Sequence, residues 1–198
     1  MSLTQNLNHF IPKKLVLIGA STGGPIQIER IVKSISKLEN TSFIIAQHMS
    51  DGFMPSYAQR LQNKHENKIS VAQYNDLLES GCIYLCTGIT TVSKHSYELR
   101  FNYNSSPINR YNPDINVLFN SFVPLSKDIE ILSVILTGIG DDGISASVTL
   151  SLSGVRCITE DESSAIVDGM PSRARQFVPN IQIHTLDEII EIINRFCE

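Results

Sequence analysis

Three side chains that together can cleave an ester stand at the ends of three separate apolar runs. Ser21 closes the run in LVLIGASTGGP (Leu15 to Pro25), His48 follows SFIIAQ, and ILSVIL leads through Thr137-Gly138-Ile139-Gly140 to Asp141 and Asp142. A serine hydroxyl attacks a carbonyl when a base takes its proton, and an imidazole is that base when a carboxylate fixes its tautomer and stabilises the imidazolium. All three groups are present. The order Ser, His, Asp along the chain differs from the Ser, Asp/Glu, His order of the α/β-hydrolases. Triads are defined by geometry, so this order excludes only that fold family. Local sequence leaves open whether Asp141 or Asp142 is the carboxylate.

The glycine corner around Ser21 has several readings. Gly19-Ala20-Ser21-Thr22-Gly23 fits the G-x-S-x-G elbow, in which small neighbours let the backbone turn sharply and hold the hydroxyl clear of the sheet. From Gly19 to Gly24 it also starts like a P-loop, but Pro25 occupies the place of the lysine. It is a loose relative of dinucleotide-binding glycine patterns as well. A reductase of that kind needs an acidic residue roughly 20 positions further on to hold the ribose. The second run ends in Gln47-His48 instead, and no tyrosine is followed four positions later by a lysine. The structural alternative is that Ser21 only caps the helix starting near Pro25. Backbone N–H groups of this corner, or of Thr137 to Gly143, would form an oxyanion hole.

Such residues need elements to carry them, and strand and helix patterns alternate along the chain. Leu15–Ala20, Ser42–Gln47, Ile69–Ala72, Ile131–Leu136 and Val155–Thr159 read as strands. Pro25–Ser36, Phe53–Asn63, Ile115–Leu125, Ile144–Ser153 and the amphipathic Leu186–Phe196 read as helices. Between Gly81 and Asn104, GCIYLCTG and HSYELRFNY read as strands joined by a polar turn, TTVSKHS, which makes this middle part antiparallel. The expected fold is α/β: a doubly wound, mostly parallel sheet with helices on both faces, three-layered and Rossmann-like, plus an antiparallel hairpin. In such a sheet function gathers at the carboxyl ends of the strands. His48 is at one of them, whereas His9 falls in the tail, His65 in the charged run NKHENK, His95 in the hairpin turn and His184 in a late strand. Arg173 and Arg175 are read as facing water.

Composition narrows the function classes. The chain has 198 residues, 42% of them hydrophobic, and a formal charge of −4. It reads as one domain over 13–198 behind an N-terminal tail, 1–12. There is no basic footprint for nucleic acid. No apolar run approaches the roughly 18 residues of a membrane span, and the polar start MSLTQNLNHF lacks a signal-peptide core, so a cytoplasmic protein is expected. Cys82, Cys86, Cys157 and Cys197 are too scattered for a disulfide frame, and Cys82 and Cys86 are spaced like one buried face of a strand.

The residues also carry a resemblance. GASTGG with Ser21, AQHM with His48 and LTGIGDDG with Asp142 resemble the three catalytic segments of the chemotaxis protein-glutamate methylesterase family, the CheB type. GFMPSYAQRL, NPDINVLFNS and DESSAIVDGMPSRA resemble further blocks of that family, in the same order, and together they cover the chain from about Lys13 onward. The resemblance implies a serine hydrolase with Ser21, His48 and Asp142 as its triad. It would remove methyl groups from glutamate methyl esters on the cytoplasmic helices of chemoreceptors, release methanol, and in some members deamidate glutamine. It implies no metal or cofactor. The sequence departs from the family in having a short tail where a receiver domain usually precedes. It also has Cys86-Thr87-Gly88 where A-P-G is common, and Asn116 where aspartate is common. The rival class is a non-catalytic receptor-binding module on the same fold, which a serine-directed probe would tell apart.

Overall fold

The computed structural model describes residues 11–104 and 110–198. The tail expectation and His9 therefore fall almost wholly outside the described residues. Among the described residues nine strands and six helices follow one another, with one 3-10 turn. The strands are β1 (Lys14–Ala20), β2 (Thr41–Gln47), β3 (Lys68–Val71), β4 (Cys82–Leu85), β5 (Ile89–His95), β6 (Glu98–Asn104), β7 (Glu130–Ile135), β8 (Arg156–Glu160) and β9 (Gln182–His184). The helices are α1 (Gly24–Ser34), α2 (Met54–Gln62), α3 (Ile115–Asn120), α4 (Ile144–Leu152), α5 (Gly169–Phe177) and α6 (Leu186–Cys197).

Seven strands form one sheet in the order β3-β4-β2-β1-β7-β8-β9. Every pairing in it is parallel. The chain moves from β1 to β2 on one side and later returns to the other side of β1 with β7. The carboxyl end of β1 is thus a switch point, where a doubly wound sheet leaves a crevice. Because side chains alternate along a strand, Leu15 and Leu17 enter one core while Val16 and Ile18 enter the other. The first core is closed by α3, α4, α5 and the β5–β6 hairpin, the second by α1, α2 and α6. Each fully buried Leu, Ile or Phe in these layers contributes about 1.5–3 kcal/mol, which keeps the strand ends where they are.

Three expectations need correction. GCIYLCTG does not begin an antiparallel region: β4 lies parallel between β2 and β3. TTVSKHS is mostly strand, because Thr90 and Val92 are buried while Thr91 between them stays wetter, and β5 pairs antiparallel with β6. His95 is therefore the last residue of a strand, and the turn is Ser96-Tyr97. The helix expected over Ile115–Leu125 stops at Asn120 and resumes as a 3-10 turn, Val123–Lys127, with Pro124 in its first turn, since proline has no N–H to continue a helix. Helix α5 was not expected from sequence: it buries only Met170, Pro171 and Ala174, too small a stripe to register as periodicity.

Candidate active site

The register of β1 against β2 sets the geometry. Ala20 is paired with Gln47, and His48 N–H donates to Ala20 O at 2.9 Å, so Ser21 and His48 are the next residues on two adjacent parallel strands. On the other flank of β1, Ser21 N–H donates to Thr137 O at 3.0 Å, at the end of β7. Gly138 permits this approach: a Cβ there would sit 2.6 Å from Ser21 Cβ and strike the Met170 sulfur.

His48 and Asp142 meet through a 2.8 Å hydrogen bond between Nε2 and Oδ2. Asp142 is completely buried, whereas Asp141 is exposed. Three backbone N–H groups complete the carboxylate's shell: Ile115 to Oδ2 at 2.9 Å, Asn116 to Oδ1 at 3.0 Å and Gly143 to Oδ1 at 2.9 Å. Four donors match the acceptor capacity of a carboxylate, and this offsets the cost of burying its charge. With the Nε2 proton committed to Asp142, the neutral imidazole has its lone pair on Nδ1, the nitrogen free to take a proton.

Asp141 lies at the exposed turn beside Asp142. Its Oδ1 accepts the Tyr111 hydroxyl at 3.0 Å, and the Tyr111 ring stacks on His48 with centroids 5.1 Å apart and planes 5° from parallel. Desolvation and this bond to Asp141 push the Tyr111 phenol above its usual range. Tyr111 was not singled out in the sequence, since nothing local marks an aromatic 63 positions beyond the histidine it covers. Its loop is tied down by Asn112, which donates to Asp51 and accepts Gly88 N–H. Asn116, at the position where aspartate is common in the family, accepts Ser145 Oγ–H and Ala146 N–H at the start of α4. An aspartate could accept both equally well, so the departure leaves this contact intact.

Of the backbone donors at the corner, Ser21 N–H and Gly138 N–H are used inside the fold, by Thr137 O and Val167 O. Thr22 N–H and Ile139 N–H have no acceptor among the described residues. Thr22 follows the serine, the usual place for an oxyanion donor beside a nucleophile elbow.

Behind the corner lies a buried acid. Thr137 N–H donates to Glu160 Oε2 at 3.0 Å, while Gln27 and Ser164 donate to Oε1 at 2.6 and 2.9 Å. Arg175, expected to face water, instead pairs with Asp168 at 2.5 Å and donates to Glu160 O. Arg173 is exposed as expected. Burial pushes the Glu160 carboxyl up, against the opposing pull of its donors. A carboxyl raised on folding holds its proton more tightly in the native state. Its contribution is therefore fully present below the free glutamate range and is lost as pH rises through and above about 4.3. Glu160→Gln is expected to gain stability relative to the parent as pH rises from about 4, with a constant difference below it. Denaturant unfolding across pH checks this. A parent that gains on the variant with rising pH would show that the donors outweigh burial.

This arrangement of strand-end serine, histidine and aspartate coincides with a family match. The family model described as CheB methylesterase matches residues 16–193. The chain belongs to the CheB methylesterase family. A protein-glutamate methylesterase/protein-glutamine glutaminase of Carboxydothermus hydrogenoformans is 34% identical over 193 residues, covering 91% of this chain and 54% of that one. One from Bacillus subtilis is 33% identical over 166 residues, covering 82% and 46%. The chain thus spans about half the length of the curated relatives it matches. The CheB methylesterase catalytic domain of Thermotoga maritima superposes with a TM-score of 0.84 at 26% identity, over 93% of this chain and 99% of that one. The CheB fold and the α/β reading of the sequence therefore agree. Among the described residues no helix is long and apolar enough to cross a membrane.

Proposed function

We propose that this chain is a serine hydrolase that cleaves glutamate methyl esters on the cytoplasmic helices of bacterial chemoreceptors, with Ser21 as nucleophile, His48 as base and Asp142 as its partner. The observation that carries the proposal is the hydrogen bond from His48 to the fully buried Asp142 at the strand end beside Ser21. Family membership supports the substrate class, because relatives bear the name protein-glutamate methylesterase.

In the forward reaction His48 Nδ1 takes the Ser21 proton as Oγ bonds to the ester carbonyl carbon. The tetrahedral oxyanion is held by backbone N–H groups, Thr22 foremost, each worth about 3 kcal/mol. The C–OCH3 bond breaks, and His48 returns the proton to the departing methoxide, giving methanol and a glutamyl ester on Ser21. Water then loses a proton to the same nitrogen and attacks. Ser21 leaves and recovers its proton, and the receptor glutamate is released. A glutamine side chain passing through the same acyl-enzyme would release ammonia, which fits the glutaminase half of the relatives' name.

A fluorophosphonate probe is expected to label the native chain once, at Ser21, and receptor membranes carrying methyl esters are expected to yield methanol. Absence of both, from folded protein, would favour a receptor-binding module without catalysis.

A further inference from the structure

We infer that Gln47 is a positioning residue of the site: its carboxamide nitrogen joins the backbone of the nucleophile to the backbone of the base. Nε2 donates to Ser21 O at 2.8 Å and to His48 O at 3.0 Å. Gln47 is buried at the last position of β2, and its Oε1 has no hydrogen-bond partner among the described residues. The orientation of the amide is not interchangeable. A flipped amide would set its oxygen against two carbonyl oxygens, and only the nitrogen has two protons to give. A buried side chain that leaves its own acceptor unpaired in order to serve two backbone carbonyls is held there by those two bonds.

The surroundings are shaped for this amide. Gly24 leaves the space it fills, since a Cβ at that position would collide with Gln47 Oε1. Ser21 O also accepts Gly24 N–H at 2.9 Å, so the carbonyl of the nucleophile receives one donor from its own turn and one from β2. Sheet bonds fix the strands up to Ala20 and Gln47. Beyond them the backbone link between the two strands is His48 N–H to Ala20 O at 2.9 Å, and the Gln47 side chain adds a second connection across the two residues whose spacing the reaction depends on. In the sequence Gln47 stood out only as the absence of a ribose-binding acid.

This inference rests on the serine hydrolase reading, and its test separates the two. p-Nitrophenyl acetate serves as a small ester that needs no receptor contacts. Gln47→Leu removes both donors at similar volume and is expected to lower kcat by about 10²-fold, the scale of a small misplacement of reacting groups, with KM and the shape of the pH profile unchanged. Gln47→Glu places a buried carboxyl with a raised pKa at the same point. Its protonated form can donate to one carbonyl, whereas its ionised form repels both. Its kcat is therefore expected to fall as pH rises on the alkaline side, where the parent holds level, and to return when the pH is lowered. Parent-like kcat in Gln47→Leu, or a parent-like pH profile in Gln47→Glu, overturns the proposal. So does activity that tracks only the folded fraction in both variants, which would make Gln47 a packing residue alone. If Ser21→Ala hydrolyses the ester like the parent, the serine reading itself fails, whatever the Gln47 variants do.

Discussion

Ser21→Ala is expected to lower turnover of a methylated receptor by at least about 10⁴-fold, since losing the nucleophile of a serine hydrolase leaves only binding and oxyanion stabilisation. The same change should shift unfolding free energy by no more than about 0.5 kcal/mol. The Ser21 hydroxyl makes no hydrogen bond with the described residues, and alanine keeps the Cβ that packs at Gly138. The pairing of a large kinetic effect with a silent melting curve is the informative result. Turnover by the alanine variant within a few-fold of the parent would remove Ser21 from the chemistry.

Asp142→Asn should be nearly as damaging to kcat, by up to about 10⁴-fold, and unlike the serine change it should also loosen the fold. All four partners of Asp142 are donors when the imidazole bears its Nε2 proton. A carboxamide offers one acceptor atom, so its NH2 must face two of them in either orientation. If it faces His48, the histidine must turn its lone pair to Nε2 and lose its base at Nδ1. If it faces Asn116 and Gly143, two buried N–H groups are left unpaired, at about 1–3 kcal/mol each. Asp141→Asn keeps an oxygen for the Tyr111 hydroxyl and should cost little. Kinetics of the two variants on one methylated receptor, read beside their melting temperatures, decide the assignment. If Asp141→Asn is the crippling change, the carboxylate is the wrong one. If both are mild, the base has another partner.

What could be read from the sequence follows from what is local. The apolar run Leu15–Ala20, its glycine corner and the strand-terminal address of His48 are properties of a few consecutive residues, and they nominated two members of the candidate site. Asp142 against Asp141 is a question of which side chain faces inward after a glycine-rich turn. Local sequence left that open, and family blocks chose Asp142. The residues that escaped notice act across the fold: Tyr111 lies on His48 from a loop beyond β6, and Glu160 supports Thr137 from the neighbouring strand. Their contacts are created by strand order, which no window of sequence contains. The misread of TTVSKHS is of another kind. Only Thr90 and Val92 of β5 are buried, Thr90 is itself polar, and the three residues that follow, Ser93, Lys94 and His95, are polar in succession and all outside the core, so the stretch carries almost no period of two and reads as a turn.

The adjacency of Ser21 and His48 comes from the central parallel ladder and not from a mobile loop. Their amides donate to Thr137 O and Ala20 O, bonds that extend β1 and β2 where both strands are walled in by two cores. Amides of that kind exchange with solvent only through openings that approach global unfolding, the slowest class in a native protein. On the proposed reading, nucleophile and base are carried by the most cooperative part of the molecule, and amide exchange at Ser21 and His48 is expected to be as slow as in the core strands.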